Sequence, residues 1–197
     1  MQEKSKYIQN AVDKLSELTE VSDELYKRLT QDIRLVKQPK MSLLEFEGDD
    51  CQGSLWYLVQ GVACSIQYDT YLEKEQAILL WKKGDILFQP ESFFEKKVLQ
   101  ESICLWDDSI LLGISYLRLK QLLDDFPLLS SILIRSYGLR IRRFATHGIA
   151  LSYPAIERVA YLLRSYPGIH NKVKQELLAQ YLHIDRRTFN ICLKEFK

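Results

Sequence analysis

Residues 54–68 read SLWYLVQGVACSIQY, two short apolar runs separated by Gly61, and stretches of this kind decide the fold. Similar runs recur between residues 33 and 114, where glycines such as Gly48, Gly53 and Gly84 break them. Runs of this length, rich in Leu, Ile, Val, Trp and Tyr and bounded by turn residues, are typical of strands. Their number and spacing predict a small antiparallel sandwich or barrel.

Helices are predicted on both sides of these strands. Residues 5–31 carry apolar side chains at helical spacing, with Ser22 as an N-cap. Ser115 is expected to cap a short helix, and Pro127 to begin a longer one that continues to residue 152.

The long helix carries two apolar stripes. One has the alternating three- and four-residue spacing of a coiled-coil seam and comprises Ile134, Tyr137, Ile141, Phe144, Gly148 and Leu151. The other comprises Leu128, Ile132 and Leu139. Because two stripes need two partners, we expect one to pack on the strands and the other on the same helix of a second subunit. A helix buried in its own domain is the alternative, and surface arginines at 135, 140, 142 and 143 argue against it.

The final segment, residues 173–197, reads VKQELLAQYLHIDRRTFNICLKEFK and predicts a helix, a tight turn and a second helix. Ala179 is small enough for the two helices to cross closely, as a helix-turn-helix requires. Asp185 can cap the second helix, whose first turn then presents Arg186, Arg187 and Thr188. Any antiparallel helix pair shares the apolar spacing, so the segment alone leaves an ordinary packed pair as an alternative.

Charge divides the chain in two. Residues 1–126 carry 15 basic and 22 acidic side chains, whereas residues 127–197 carry 12 basic and 4 acidic ones. Clustered cations are needed to neutralise phosphates, so the division favours a polyanion-binding part joined to a part that binds no polyanion.

Several other classes of protein are disfavoured. The four cysteines are scattered without a C-x-x-C pair, and the three histidines lie outside the strand region, so neither a metal site nor an enzyme's catalytic set is predicted. The charged start does not resemble a signal peptide, and no apolar run is long enough for a membrane span, so we expect a cytoplasmic protein.

The chain resembles bacterial transcription regulators of the CRP/FNR type over nearly its whole length. Residues 43–68, 113–127, 155–163 and 176–196 are similar, in that order, to the family's barrel signature, barrel exit and DNA-binding part. The resemblance implies an α+β fold: an antiparallel β jelly roll or double-stranded β-helix barrel, a long dimerisation helix and a C-terminal helix-turn-helix domain. The implied boundaries are 1–126 for a sensor barrel with N-terminal helices, 127–152 for the dimerisation helix and 153–197 for the DNA-binding domain.

The effector site departs from the family pattern. In the family, a Gly-Glu pair followed by an Arg-Ser or Arg-Thr pair faces a cyclic phosphate, and the corresponding stretch is residues 84–102. Here Gln89 stands at the glutamate position, and Leu99 and Gln100 stand at the arginine pair. Without a cation the phosphate would lose its main partner, so cyclic AMP binding is disfavoured and no cofactor is predicted. Lys96 and Lys97 are the alternative cations.

The DNA-binding end departs from the pattern as well. His183 stands where the turn usually has a glycine, Ile191 stands where a guanine-reading arginine is common, and no residues follow Lys197 to form a β-wing. We therefore expect base contacts from Arg186, Arg187, Thr188 and Asn190, and phosphate contacts from Lys174 and Lys194.

The resulting hypothesis is a homodimeric regulator that binds a pseudo-palindromic DNA site and has RNA polymerase as a further candidate partner. The predicted dimer seam comprises Ile134, Tyr137, Ile141, Phe144 and Leu151. The alternative is a sensor for a small molecule or a protein that no longer binds DNA.

Overall fold

The computed structural model describes residues 2–16, 21–49 and 53–196, so Cys51 lies outside the described residues. Within that part of the chain the helices are α1 Gln2–Ser16, α2 Asp23–Asp32, α3 Pro90–Phe94, α4 Tyr116–Asp125, α5 Ser130–Ala150, α6 Ala155–Ser165, α7 Gln175–Tyr181 and α8 Arg186–Lys194. The strands are β1 Arg34–Gln38, β2 Leu43–Glu45, β3 Ser54–Gln60, β4 Val62–Asp69, β5 Lys74–Lys82, β6 Ile86–Leu87, β7 Ser102–Leu105 and β8 Ser109–Ser115.

The strands form two antiparallel four-stranded sheets, with orders β1-β8-β3-β6 and β2-β7-β4-β5. This order confirms the predicted jelly roll. Among the described residues no strand pairing joins the two sheets, so the expected barrel is an open sandwich. Gly61 carries the chain from one sheet to the other with φ at 106°, and a Cβ there would lie 2.1 Å from Ser109 Oγ.

Alternate residues of the strands face the space between the sheets. In β3 the side chains of Trp56 and Leu58 are buried there, whereas their neighbours Leu55 and Tyr57 point to the other face and are half-buried. The interior comprises Trp56, Leu58, Ala63, Leu79, Trp81, Leu87, Ile103, Leu105 and Leu111. Because the first sheet is apolar on its outer face as well, that face requires a cover.

The N-terminal helices, α4 and the start of α5 cover the outer face of the first sheet. Ser22 and Ser115 cap α2 and α4 as predicted, each accepting a hydrogen bond from a backbone amide three residues ahead. The short helix after Ser115 and the longer helix after Pro127 are both confirmed, with a 3₁₀ turn at Pro127–Leu129 between them.

The prediction for the second stripe of α5 is partly wrong. Ile132 is buried against the jelly roll beside Leu133, but Leu128 is 70% exposed and Leu139 is 45% exposed. Leu128 belongs to the 3₁₀ turn and is therefore out of phase with the helix. Leu139 lines a cavity between α5 and the first sheet, so its side chain is not packed into the core there.

Helices α6, α7 and α8 pack on the outer face of the second sheet. Cys64, Leu80 and Trp106 of the jelly roll share one buried cluster with Val159 and Phe189 of the helices. The Tyr166 hydroxyl donates to the Leu80 carbonyl oxygen at 3.1 Å across this contact. Residues 153–196 thus rest on the sandwich through a continuous core, while the boundaries at 127 and 153 stay predictions. None of the helices among the described residues has the length and apolar content to cross a bilayer.

Candidate nucleic-acid interface

Helices α7 and α8 meet at a tight turn. Ala179 is buried where they meet, and its carbonyl oxygen accepts a hydrogen bond from the Ile184 amide at 3.0 Å. His183 occupies the left-handed region with φ at 52°, as expected for a position that usually holds glycine. The predicted helix pair and its turn are therefore present.

Asp185 caps α8. Its carboxylate accepts hydrogen bonds from the Thr188 amide at 2.9 Å and from the Thr188 hydroxyl at 2.5 Å. These two bonds hold the pKa of Asp185 below its usual value. The cap fixes the start of the helix. It also occupies the Thr188 hydroxyl, which we predicted to contact a DNA base.

The amphipathic character of α8 leaves its predicted contact residues on the outer side. Phe189, Cys192 and Leu193 are buried against α6 and α7. The predicted contact residues divide into exposed Arg186, Arg187 and Lys194 and half-buried Thr188 and Asn190, and Ile191 is 57% exposed beside them. Lys174 is exposed immediately before α7. Four of the six predicted contact residues, Arg186, Arg187, Lys194 and Lys174, are thus exposed, and their role in contacting DNA stays a prediction.

The two arginines differ in a way that the sequence does not reveal. Arg186 forms an ion pair with Glu176 of α7 at 2.8 Å, and both side chains are more than half exposed. The guanidinium of Arg187 makes no hydrogen bond or ion pair with the described residues, and the side chain is exposed. An exposed pair contributes little to stability, so Arg186 can exchange Glu176 for another anion.

Arg158 of α6 is a structural element of this site that the sequence did not predict. Its guanidinium donates to the Tyr153 carbonyl oxygen at 2.7 Å and to the Leu182 carbonyl oxygen at 3.1 Å. Because the last carbonyls of a helix lack partners within the helix, a cation here completes the end of α7 and joins it to the start of α6. No local sequence pattern reveals this contact, since Arg158 and Leu182 are 24 residues apart.

Side-chain contacts hold the helical part on the sandwich. Gln180 Nε2 donates to the Glu75 carbonyl oxygen at 2.9 Å, and Lys82 Nζ donates to the Ser165 carbonyl oxygen at 2.9 Å. These bonds join α7 and the end of α6 to strand β5. The direction in which α8 faces is thus set by the second sheet.

His147 connects α5 to the helix pair. Its ring stacks on Tyr181 with centroids 3.9 Å apart and an interplanar angle of 6°, and Tyr161 lies 6.0 Å away. The imidazole is 4% exposed, and neither ring nitrogen has a hydrogen-bond partner among the described residues. Burial, together with nearby His183, lowers the pKa of His147 from 6.5 to about 4.

We expect His147 to make the protein less stable in acid. Between about pH 6.5 and 4 the unfolded chain binds a proton that the folded chain excludes, so the free energy of unfolding falls by about 3 kcal/mol as the pH is lowered across this interval. His147→Phe keeps a stacked ring and should remove that part of the pH dependence. Urea unfolding of both proteins at pH 7.0 and pH 4.5 measures it, and equal losses in the two proteins would contradict the expectation.

The predicted effector residues are engaged by the protein itself. Gln89 is 2% exposed, its Oε1 accepts from the Gln100 amide at 2.9 Å and its Nε2 donates to the Glu101 carbonyl oxygen at 2.9 Å. Leu99 is buried in the core beneath the helices, and Gln100 Nε2 donates to the Val98 carbonyl oxygen. The structure thus brings Gln89 and Gln100 together and directs Leu99 into the core, and their role with an effector stays a prediction.

A buried polar network lies beside this segment. The Glu101 carboxylate accepts from Arg140 at 2.8 Å and from the Ser65 hydroxyl at 2.9 Å, and Trp81 Nε1 donates to that hydroxyl at 2.8 Å. Burial raises the pKa of Glu101 although Arg140 and Ser65 oppose the shift. The two charged groups of this network, the Glu101 carboxylate and the Arg140 guanidinium, therefore neutralise each other within the chain.

Two of the four arginines of α5 are therefore not the free surface cations that the sequence suggested. Arg140 pairs with Glu101, and Arg143 holds both carboxylate oxygens of Asp85 at 2.5 and 2.6 Å. Both pairs fasten α5 to the jelly roll. The positive charge available to a polyanion accordingly shifts toward the helices that follow α5.

The sequence matches no protein-family model and no curated protein. Its structure resembles FixK2 from Bradyrhizobium japonicum, with a TM-score of 0.70 and 14% identity over 83% of this chain and 84% of that one. It also resembles the c-di-GMP-responsive global regulator CLP from Xanthomonas campestris, with a TM-score of 0.65 and 16% identity over 86% and 89% of the two chains. A cyclic-nucleotide-binding domain from Methylobacillus flagellatus gives a TM-score of 0.59 and 22% identity over 72% and 80%.

These likenesses confirm the resemblance inferred from the sequence at the level of the fold. The chain has the architecture of CRP/FNR-type transcription regulators, an antiparallel jelly roll followed by a long helix and a helical C-terminal part. The three structures named here are those of transcription regulators and a cyclic-nucleotide-binding domain, not of enzymes.

Proposed function

We propose that this protein is a homodimeric, DNA-binding transcription regulator of the CRP/FNR type that responds to a signal received by its jelly roll. The supporting observation is the placement of α8. Its first turn is capped by Asp185, its apolar side is buried, and Arg187 extends into solvent without a partner among the described residues. A helix held in this way can enter the major groove with its N-terminal residues toward the base edges.

The predicted contact residues divide by their chemistry. Arg186, Arg187 and Asn190 carry the donors that recognise guanine and adenine edges. Lys174 and Lys194 are exposed single cations suited to phosphates, which fix the position of a protein on the duplex. The Thr188 hydroxyl already donates to Asp185, so a contact with a base must either replace that bond or use the lone pairs of the hydroxyl oxygen.

The proposed dimer rests on the exposed side of α5. Ile134 is 72% exposed, Ile141 52% and Phe144 55%. Their seven- and three-residue spacing places the three side chains along one side of the helix. Such side chains on one stripe suit a symmetric seam, because each copy covers the other. Tyr137 and Leu151 are half-buried at its edge, and Tyr137 reaches Glu91 at 3.4 Å.

Ile141→Glu should break the dimer. A two-fold seam would bring the two introduced carboxylates close together in an apolar contact, and like charges so placed cost several kcal/mol. Sedimentation equilibrium should give the mass of two chains for the unmodified protein and of one chain for the variant. Ile149→Glu is the matched control, since Ile149 is equally exposed on α5 but lies off the predicted stripe. The seam is refuted if both variants remain dimers or if the unmodified protein is a monomer.

Selection of bound sequences from random duplex DNA tests the function as a whole. We expect two inverted half-sites whose centres lie about 34 Å apart, as in other helix-turn-helix dimers. Binding should weaken steeply with salt, because phosphate contacts release counterions. Failure to enrich any sequence, with no retardation of duplex DNA at low salt, would favour a sensor that does not bind DNA.

The remaining parts of the proposal concern partners and compartment. The described cysteines, Cys64, Cys104 and Cys192, are all free thiols, which suits a reducing cytoplasm. RNA polymerase is proposed as a partner because a regulator on DNA acts through it. Cyclic AMP is not proposed as the signal, since Gln89 and Gln100 bond to the chain's own backbone.

A further inference from the structure

A cavity of about 230 Å³ lies between the outer face of the first sheet and the helices that cover it. Leu55, Tyr57 and Ile86 line it from the sheet, Leu122 from α4, and Leu133 and Leu139 from α5. We infer that this cavity is a binding site for a small molecule with an apolar body and one carboxylate group, and that such a molecule is the signal. The second part of the inference rests on the proposed function.

The size and lining of the cavity favour an organic molecule over water. Protein interiors seldom leave a void larger than a water molecule, and a dry apolar cavity of about 150 Å³ can hold benzene. By the same ratio, about 230 Å³ holds an apolar body of roughly nine heavy atoms. Ordered water needs two to four polar partners, whereas most of this lining is aliphatic or aromatic.

The charged side chains at the α5 side of the cavity determine which polar group a ligand should carry. Arg135, Arg140 and Arg143 all belong to the lining. Glu101 neutralises Arg140, and Asp85 neutralises Arg143. Arg135 is exposed and its guanidinium makes no ion pair or hydrogen bond with the described residues, so one positive charge of the lining remains without a protein partner there. A guanidinium binds a carboxylate through two parallel hydrogen bonds, which matches a single negative charge on the ligand.

The cavity is lined in part by Gly84, Asp85 and Ile86, which begin the segment that corresponds to the phosphate cassette, but not by the residues at the contact positions of the cassette. Gln89, Leu99, Gln100 and Glu101 are absent from its lining, although Glu101 pairs with Arg140, which lines the cavity. A ligand here would contact α5 between Ile132 and Arg143. Because the same helix carries the predicted seam and the His147 stack, occupancy can favour one arrangement of the helix over another.

Isothermal titration calorimetry with octanoate tests the site on the full chain. We expect one octanoate per chain, and octan-1-ol, which has the same chain without the charge, should bind at least tenfold more weakly. Arg135→Ala should weaken octanoate at least tenfold and leave octan-1-ol unchanged. Arg142→Ala is the matched control, because Arg142 is an exposed arginine of α5 outside the lining.

A second variant tests the cavity itself. Ser136 lines the cavity and is half-buried, so Ser136→Phe should fill part of it and reduce the binding of both probes at least tenfold, with the melting temperature confirming that the variant folds. Equal affinities of Arg135→Ala and Arg142→Ala for octanoate, or unchanged binding by a folded Ser136→Phe, would overturn the proposal. Gel shifts without octanoate report DNA binding independently, so a failed DNA test and a failed ligand test are distinguishable.

Discussion

Replacing Arg186 and Arg187 together by alanine is expected to abolish most of the specific affinity for the selected DNA. Each arginine that reads a base contributes about 1 to 3 kcal/mol, so the double variant should lose roughly 2 to 6 kcal/mol. Arg187→Ala alone should cost more than Arg186→Ala, because Arg186 must first leave Glu176. Quantitative gel shifts at fixed salt measure these losses.

Two further variants make this test specific. Glu176→Gln releases Arg186 and should raise the affinity for DNA, whereas a purely structural role for the pair predicts no gain. Arg164→Ala is the charge-matched control for each single variant, since Arg164 is exposed on α6 and outside the predicted contacts. If the double variant and Arg164→Ala bind equally well, α8 does not read bases.

Arg140→Ala is expected to destabilise the protein by about 3 to 5 kcal/mol at neutral pH. The Glu101 side chain is 4% exposed, and removal of its cation leaves an uncompensated buried charge. Arg140→Ala/Glu101→Gln should recover part of the loss, because the remaining amide carries no charge. Urea unfolding measures the free energies, and Arg142→Ala is the surface control.

The pH dependence of Arg140→Ala follows from the raised pKa of Glu101. Loss of Arg140 raises that pKa further, so the folded variant keeps a proton that the unfolded chain has released. The protonated carboxyl contributes its full stabilisation below pH 4.5, the pKa of Glu101 in the unfolded chain. This stabilisation is lost as the pH rises through the higher pKa of Glu101 in the folded variant. The deficit relative to the unmodified protein should therefore be larger at pH 8 than at pH 5, and a deficit independent of pH would contradict this account.

Local patterns in the sequence predicted the elements well. Ser22, Ser115 and Asp185 cap the helices that they were expected to cap, and His183 adopts the left-handed conformation of a turn. Caps and turns depend on a few neighbouring residues, so the sequence contains nearly all the information that they require. Leu128 is the exception, because a 3₁₀ turn changed its phase.

Contacts between distant segments could not be predicted in this way. Arg140 and Glu101 are 39 residues apart, and Arg143 and Asp85 are 58 apart. The sequence gives the number of charges, but which of them neutralise each other depends on how α5 lies against the sandwich. The four arginines of α5 that the sequence placed at the surface therefore fall into two pairs. Arg140 and Arg143 fasten the helix to the sandwich, and Arg135 and Arg142 remain exposed.

The sequence by itself determined the order of strands and helices, the apolar sides of those elements and the resemblance to CRP/FNR-type regulators. Tertiary structure alone decided that the jelly roll stays open among the described residues and that Gln89 and Glu101 are engaged within the chain. It also decided that a cavity remains beneath α5, with one arginine whose guanidinium has no partner in the described part of the chain. The physical reason is the range of the interactions. Propensity, capping and periodicity act between near neighbours, whereas burial and charge pairing depend on the arrangement of the whole chain.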